Sequence, residues 1–148
     1  MNSLQKSGKI GINKEICHGC GICELACSLY HEGVCSQTLS RIYVRRDPLN
    51  GECAPETCRQ CDSPECFFAC PVDAIVIHTQ TGARIIVEED CIACGKCSKA
   101  CPFNEDGKII GSNETPYFKC DLCSNREKGP ICVEACPWGA LEYLRIVD

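Results

Sequence analysis

The sequence predicts an α+β fold of two similar small units, with short strands and short helices wrapped around metal clusters. Three observations predict it. Of 148 residues, 18 are cysteine, well above the roughly 8–10% at which a short chain is usually built on covalent or metal cross-links. Large apolar side chains are few, with four Phe, four Tyr, one Trp and one Met, too few to close two independent cores. Finally, sixteen of the cysteines fall into four quartets, each ending in x3-Cys. Something other than side chains must fill the interior.

Cysteine-dense short chains carry either disulfides or metal sites, and the redox compartment decides between them. The N-terminus, MNSLQKSGKIGIN, has no apolar stretch of about 7–15 residues and no small-residue cleavage site. The Arg45-Arg46 pair lies deep in the chain, and no apolar run approaches the roughly 18 residues that span a bilayer. A cytoplasmic chain with reduced thiols and no membrane span is therefore expected, which favours metals. Fifteen Lys and Arg against twenty Asp and Glu give a net charge of −5. That balance argues against a nucleic-acid partner, because phosphate binding needs a basic face.

The first quartet, Cys17, Cys20, Cys23 and Cys27, and the third, Cys91, Cys94, Cys97 and Cys101, share the spacing C-x2-C-x2-C-x3-C. The second, Cys58, Cys61, Cys66 and Cys70, widens the middle gap to four residues. The fourth, Cys120, Cys123, Cys132 and Cys136, widens it to eight. A 4Fe–4S cuboid needs a thiolate on each of four iron corners. Cysteines two residues apart let one tight loop deliver three sulfurs around a cube. The fourth, beginning or sitting on a short helix that leads away, ligates the other cluster of a pair, as in two-cluster ferredoxins. Pro71, Pro102 and Pro137 follow three of these fourth cysteines and stop the helix. Zinc is the alternative, but its four-thiolate sites pair two C-x2-C knuckles across a longer spacer, and three sulfurs at strict intervals would crowd one ion. Zinc or a vacancy in a single quartet remains open, the fourth being the least regular.

Short strands flank the quartets: residues 9–13 and 84–88 before the first and third, 71–77 and 137–143 after the second and fourth. His78 to Ala83 reads as a hairpin connection with Gly82 free to take positive φ. Residues 54–104 then form one compact unit, and residues 1–53 with 105–148 a second, discontinuous one, related to the first by a pseudo-two-fold repeat. The strand at 9–13 is expected to pair with the chain near 140–146. Cross-ligation gives four sets: Cys17, Cys20, Cys23 with Cys136; Cys120, Cys123, Cys132 with Cys27; Cys58, Cys61, Cys66 with Cys101; and Cys91, Cys94, Cys97 with Cys70. Residues 40–46 read as an inserted strand, 47–51 as a turn, and 103–116, with Asn104, Gly107, Gly111, Asn113 and Pro116, as loop around a short strand at Ile109-Ile110. Helices are expected near 21–29, 65–70, 95–100 and 131–136.

With these motifs in place, the chain resembles the four-cluster ferredoxin-like electron-transfer subunits of multi-subunit oxidoreductases. The resemblance covers about residues 9–146 and rests on Cys17-x2-Cys20-Gly21-x-Cys23-x3-Cys27, Cys58-x2-Cys61-x2-Pro64-x-Cys66-x3-Cys70-Pro71, Cys91-x2-Cys94-Gly95-x-Cys97-x3-Cys101-Pro102, and Cys120-Asp121-x-Cys123 with Cys132-x3-Cys136-Pro137. Ser28 stands where the pattern has Pro. The resemblance implies four 4Fe–4S clusters, a catalytic large subunit and a further electron donor or acceptor. The expected partner is of the tungsten or molybdenum aldehyde-oxidoreductase type, with carbon monoxide dehydrogenase, formate dehydrogenase and hydrogenase partners as the others.

No G-x-G-x-x-G or Walker-type motif is present, and three scattered histidines make no hydrolytic site. The chain is expected to be non-catalytic. Cys35 and Cys53 lie outside every quartet and read as free thiols, with a replacement ligand or a small extra metal site as the alternative. His18, His31 and His78 read as loop residues, His18 inside the first motif being open to tuning or ligating a cluster. Tyr30, Phe67, Phe68, Tyr117, Phe118 and Trp138 are expected to shield clusters from water, and Glu88-Glu89-Asp90 to be a solvated patch. A freely diffusing polyferredoxin and a zinc-binding interaction module are the competing classes.

Overall fold

The computed structural model describes residues 4–112 and 116–146, so the part of the expected 103–116 loop around Asn113 lies outside it. Along the chain run β1 (Lys9–Ile12), α1 (Ile22–Glu32), β2 (Ile42–Arg46), β3 (Cys53–Thr57), α2 (Glu65–Ala69), β4 (Ile75–Ile77), β5 (Arg84–Ile86), α3 (Lys96–Ala100), β6 (Ile110–Ser112), β7 (Tyr117–Lys119), α4 (Ile131–Ala135) and β8 (Leu141–Leu144). Every strand belongs to a two-stranded antiparallel sheet, so regular structure is short throughout.

β1 pairs with β8, Ile10 facing Tyr143, and the Asn13 N–H extends the ladder to the Ala140 carbonyl at 2.8 Å. β4 and β5 form the hairpin expected between the second and third quartets, with Ile75 facing Ile86. The chain before β1 lies on that hairpin, the Gly8 N–H donating to the Thr81 carbonyl at 2.9 Å.

Proline decides where three of the four α-helices end. α2, α3 and α4 stop at Ala69, Ala100 and Ala135, and Cys70, Cys101 and Cys136 are extended C-cap residues with ψ of 118°, 117° and 111°. The fourth cysteine of these quartets thus ends its helix, rather than beginning or sitting on it as the spacing suggested. The residue before a proline is pushed out of the α region by its ring, and each of these cysteines precedes one. Cys27 precedes Ser28, so α1 carries on to Glu32 and ends at Gly33, whose φ of 74° suits a left-handed cap. This is why α1 is longer than residues 21–29 and why His31 is helical rather than in a loop.

Two strands have no clear sequence signal. β3 reads Cys-Ala-Pro-Glu-Thr, and its proline argues against a central strand, yet it pairs along β2 with Val44 opposite Pro55. β7 pairs with β6, Ile110 opposite Lys119. The Asn104 amide braces β6: its Oδ1 accepts from the Ile109 and Ile110 N–H groups at 2.9 and 3.0 Å, and its Nδ2 donates to the Ile110 carbonyl at 3.1 Å.

Cysteines make up much of the interior. Tyr43, Ile75, Ile86, Ile109 and Ile110 close around Cys66 and Cys97; Ile42, Val44 and Leu141 close around Cys23, Cys27 and Cys132. α2 packs on α3 and α1 on α4. Ala83, Cys120 and Leu122, with Ile10, Ile85 and Tyr143, join the two groups.

Candidate metal centre

The same turn recurs in the first Cys-x-x-Cys pair of each quartet. The residue before the second cysteine takes a left-handed conformation, φ being 70° at Gly19, 49° at Gln60, 56° at Ala93 and 57° at Leu122. Each of the four donates its N–H to the sulfur of the preceding cysteine, to Cys17, Cys58, Cys91 and Cys120, at 3.4 Å in every case. Three of these residues carry side chains, and such a backbone costs on the order of 1–3 kcal/mol each. Strain repeated at equivalent positions implies that something bound to the sulfurs offsets it. Further N–H groups reach sulfurs from outside the turns: Arg41 to Cys27 at 3.2 Å, Ala74 to Cys70 at 3.2 Å, Ile131 to Cys123 at 3.5 Å and Ala140 to Cys136 at 3.4 Å.

The fold brings cysteines together across quartets. Cys17, Cys20 and Cys23 share an apolar cavity with Cys136, closed by Val44, Pro55, Trp138 and Leu141. Cys91, Cys94 and Cys97 share another with Cys70, closed by Ile75, Ile86 and Tyr117. Cys66 lies within the field of Cys58 and Cys101, and Cys101 within that of Cys58 and Cys61. Cys132 feels Cys120, Cys27 and Cys123, and also Cys23 of the neighbouring set. Cys58 in turn acts on Cys120. Cys66 and Cys97 lie in one buried core group, so each sulfur group adjoins the next in a row.

Burial dominates the chemistry of these thiols. It pushes Cys66 up to about 11 and Cys23, Cys120 and Cys123 up to about 12, with the Glu24 carboxylate adding to the rise at Cys23. Cys132 is raised well above an ordinary thiol by the same cause. Thiolates this deep need cations, and iron supplies them: a soft four-sulfur site with N–H donors aimed at the sulfurs is the donor set of a 4Fe–4S cluster. The residues present fit that group.

Buried polar side chains connect the sulfur groups, and of them the sequence named only His31, as a loop residue. Gln60 donates from Nε2 to the Cys120 carbonyl at 2.8 Å and accepts from the Arg84 N–H at 2.8 Å. Lys119 is 3% exposed, and its Nζ lies 3.4 Å from Cys58 Sγ. Burial pulls its ammonium down, but the thiolates of Cys58, Cys66 and Cys120 outweigh that and leave it above the ordinary lysine value. His31 Nε2 stands 3.4 Å from Asp121 Oδ1 and 3.7 Å from Cys123 Sγ, while Arg41 donates to Nδ1. A donor at Nδ1 places the remaining ring proton on Nε2, and burial pushes the imidazole down to about 4. The adjacency of Lys119 to Cys120 was the available signal; His31 lies ninety-two residues from Cys123 and offered none.

Of the other residues singled out, Cys35 is exposed, and Cys53 lies in β3 against the turn of Gly19. His18 stacks on Trp138 at 4.2 Å between ring centroids. Tyr117, Phe67, Phe118 and Trp138 pack beside cysteines or in the interior. Tyr30, Trp138 and Phe68 are 43%, 51% and 65% exposed. His78 is in the β4–β5 connection, and Glu88–Asp90 forms an exposed 3-10 turn. No helix among the described residues is long and apolar enough to cross a membrane.

Comparison with known proteins agrees with this chemistry. Residues 49–145 match the 4Fe-4S dicluster domain family. The polyferredoxin-like subunit of an aliphatic sulfonate oxidoreductase from Pyrococcus furiosus is 40% identical over 92% of this chain and 75% of its own length. An Escherichia coli protein described as a putative electron transport protein, YsaA, is 39% identical over 88% of this chain and 85% of its own. Among solved structures, the BamBC active-site complex of benzoyl-coenzyme A reductase contains a chain that superposes with a TM-score of 0.55. That chain is 27% identical, and the match covers 95% of this chain and 80% of it. With these matches and with its cysteines so arranged, the chain belongs to the 4Fe–4S dicluster domain family and is an iron–sulfur protein.

Proposed function

We propose that the chain is the non-catalytic electron-transfer subunit of a cytoplasmic multi-subunit oxidoreductase and holds four 4Fe–4S clusters. The ligand sets are Cys17, Cys20, Cys23 and Cys136; Cys27, Cys120, Cys123 and Cys132; Cys58, Cys61, Cys66 and Cys101; and Cys70, Cys91, Cys94 and Cys97. Residues 54–104 form an inner unit and residues 1–53 with 105–148 an outer one, related by a pseudo-two-fold repeat. The observation that carries this reading is the pair of cavities in which three cysteines of one quartet meet the last cysteine of another.

Each cluster, when bound, supplies a one-electron couple whose potential is set by hydrogen bonds, charge and solvent. The chain's residues do the rest. Adjoining sulfur groups place neighbouring sites close together, and buried Ile and Leu side chains keep water from them. Cys20 and Cys94, at opposite ends of the row, are exposed, which marks the two ends as places of electron entry and exit. Exposed apolar residues accompany both: Ile22, Leu25 and Trp138 near the first, Phe68 and Ile92 near the second.

The partner we favour is a catalytic large subunit of the tungsten or molybdenum aldehyde-oxidoreductase type, with a second redox protein at the far end. Relatives are named as subunits of an aliphatic sulfonate oxidoreductase and of formate hydrogenlyase, and a structural relative sits in a benzoyl-coenzyme A reductase complex. Purification of the tagged chain from its native host without air tests this. A large subunit carrying tungsten or molybdenum is expected to co-elute. The chain eluting alone, fully loaded with iron, would instead mark a diffusing polyferredoxin, and a folded, iron-poor, zinc-bearing chain an interaction module.

A further inference from the structure

The four sulfur groups sit in unequal electrostatic surroundings. No Lys or Arg lines the cavity of Cys70, Cys91, Cys94 and Cys97. None lines that of Cys17, Cys20, Cys23 and Cys136 either, and there the carboxylate of Glu24, 2% exposed and paired with Arg46 at 3.1 Å, stands beside Cys23. Arg41 approaches the group of Cys27 and Cys123, but its guanidinium is paired with Glu32 at 3.4 Å and Glu88 at 3.1 Å. Asp121 adds a carboxylate next to Cys123.

The group of Cys58, Cys61, Cys66 and Cys101 has two buried cations. Lys119 Nζ donates to Cys58 Sγ at 3.4 Å and to the Cys120 carbonyl at 3.3 Å, and makes no ion pair with a carboxylate among the described residues. Arg84, 1% exposed, faces the same sulfurs, and its Nε and Nη2 are buried with no hydrogen-bond partner in the protein. Asp62, a carboxylate acting on Arg84, is a 68% exposed side chain whose ion-pair partner is Lys9 at 4.0 Å.

We propose that Lys119, with Arg84 beside it, makes the site of Cys58, Cys61, Cys66 and Cys101 the one of highest reduction potential in the chain, an electron trap inside the row rather than at either end. The proposal rests on the ligand sets proposed for the four clusters. Its physics is direct: reduction adds a negative charge to the site. A fixed cation a few ångströms away in a water-poor interior stabilises that charge far more than a surface lysine would. A hydrogen bond to a ligand sulfur acts in the same sense.

The test is a dithionite titration of the anaerobically purified full chain, followed by electron paramagnetic resonance. Cys58→Ser and Cys101→Ser assign the site. Both should alter the first signal to appear on reduction, and Cys70→Ser should leave it unaltered. Lys119→Gln, which keeps donors to Cys58 and Cys120 but removes the charge, should shift that signal's one-electron equilibrium toward the oxidised form at least tenfold, about 59 mV. Lys119→Arg should restore it to within about threefold, a rescue that depends on charge rather than on packing. Should Lys119→Gln not load with iron, Arg84→Gln is read in the same way.

A first signal that answers to other cysteines overturns the proposal. So does a loaded Lys119→Gln protein with an unshifted midpoint. If Cys58→Ser and Cys101→Ser alter two different signals, the ligand sets themselves are wrong, which is a separate failure.

Discussion

The Glu24 carboxylate on α1 accepts a hydrogen bond from the Val44 backbone N–H on β2 at 2.6 Å, tying the first quartet's helix to the inserted hairpin. Its other oxygen accepts from Arg46 at 3.1 Å and from Gln37 at 3.0 Å. Glu24→Ala leaves the Val44 N–H and the Arg46 guanidinium without their partner. An orphaned buried donor costs about 1–3 kcal/mol, and Glu24→Gln should cost less. Loss of visible absorption during anaerobic guanidinium denaturation should begin at clearly lower denaturant for the alanine variant. Equal midpoints would refute this role.

Metal removal should unfold the protein. Cysteines occupy the centre of both main core groups, and ligation energy is folding energy where the unfolded chain has no site. The purified chain should contain about sixteen iron and sixteen sulfide. After chelation, far-ultraviolet circular dichroism should show no cooperative melting transition. A chelated chain that still melts cooperatively would show that side chains alone hold the fold.

Cross-quartet ligation makes a pairwise prediction. Cys136→Ala and Cys20→Ala, 116 positions apart in sequence, should perturb the same paramagnetic signal because both residues line one cavity. Cys35→Ser, at an exposed cysteine, should leave iron content and every signal as they are. Separate signals for Cys20 and Cys136 would mean that each quartet wraps its own metal.

Gly82 anchors the N-terminal segment. Its φ is 70°, and a Cβ there would collide with the Lys6 carbonyl. Gly82→Ala should destabilise by more than about 1 kcal/mol, because the left-handed backbone strains alanine and the space for its Cβ is taken. The segment before β1 should then lift from the β4–β5 hairpin and become open to limited proteolysis, while the cluster spectra stay unchanged. Unaltered cleavage would show that the contact carries no stability.

Much of this was legible in the cysteines. Their spacing supplies the four quartets, and the apolar runs flanking them supply the β1–β8 and β4–β5 pairings. Proline at 71, 102 and 137 was read as a helix stop, but the restriction it places on the residue before it decides that Cys70, Cys101 and Cys136 are extended while Cys27 is helical. β3 was not legible because its strand character comes from pairing with β2, not from its own Pro-containing sequence. Lys119 adjoins Cys120 in sequence, but neither its contact with Cys58 nor that of His31 with Cys123 was legible. A buried cation 61 residues from Cys58 or an imidazole 92 from Cys123 has no local pattern, and only the folded chain brings the pairs together.

The pairing of β1 with β8 imposes an order on biosynthesis. A nascent chain that has reached residue 104 already carries the eight cysteines from Cys58 to Cys101 and the complete β4–β5 hairpin. Its opening strand must still wait for Leu141–Leu144 to be made before it gains a partner. On the proposed ligand sets, the sulfurs from Cys58 to Cys101 are complete before Cys17, Cys20 and Cys23 have met Cys136, so the inner sites do not depend on the late strand and the outer ones do.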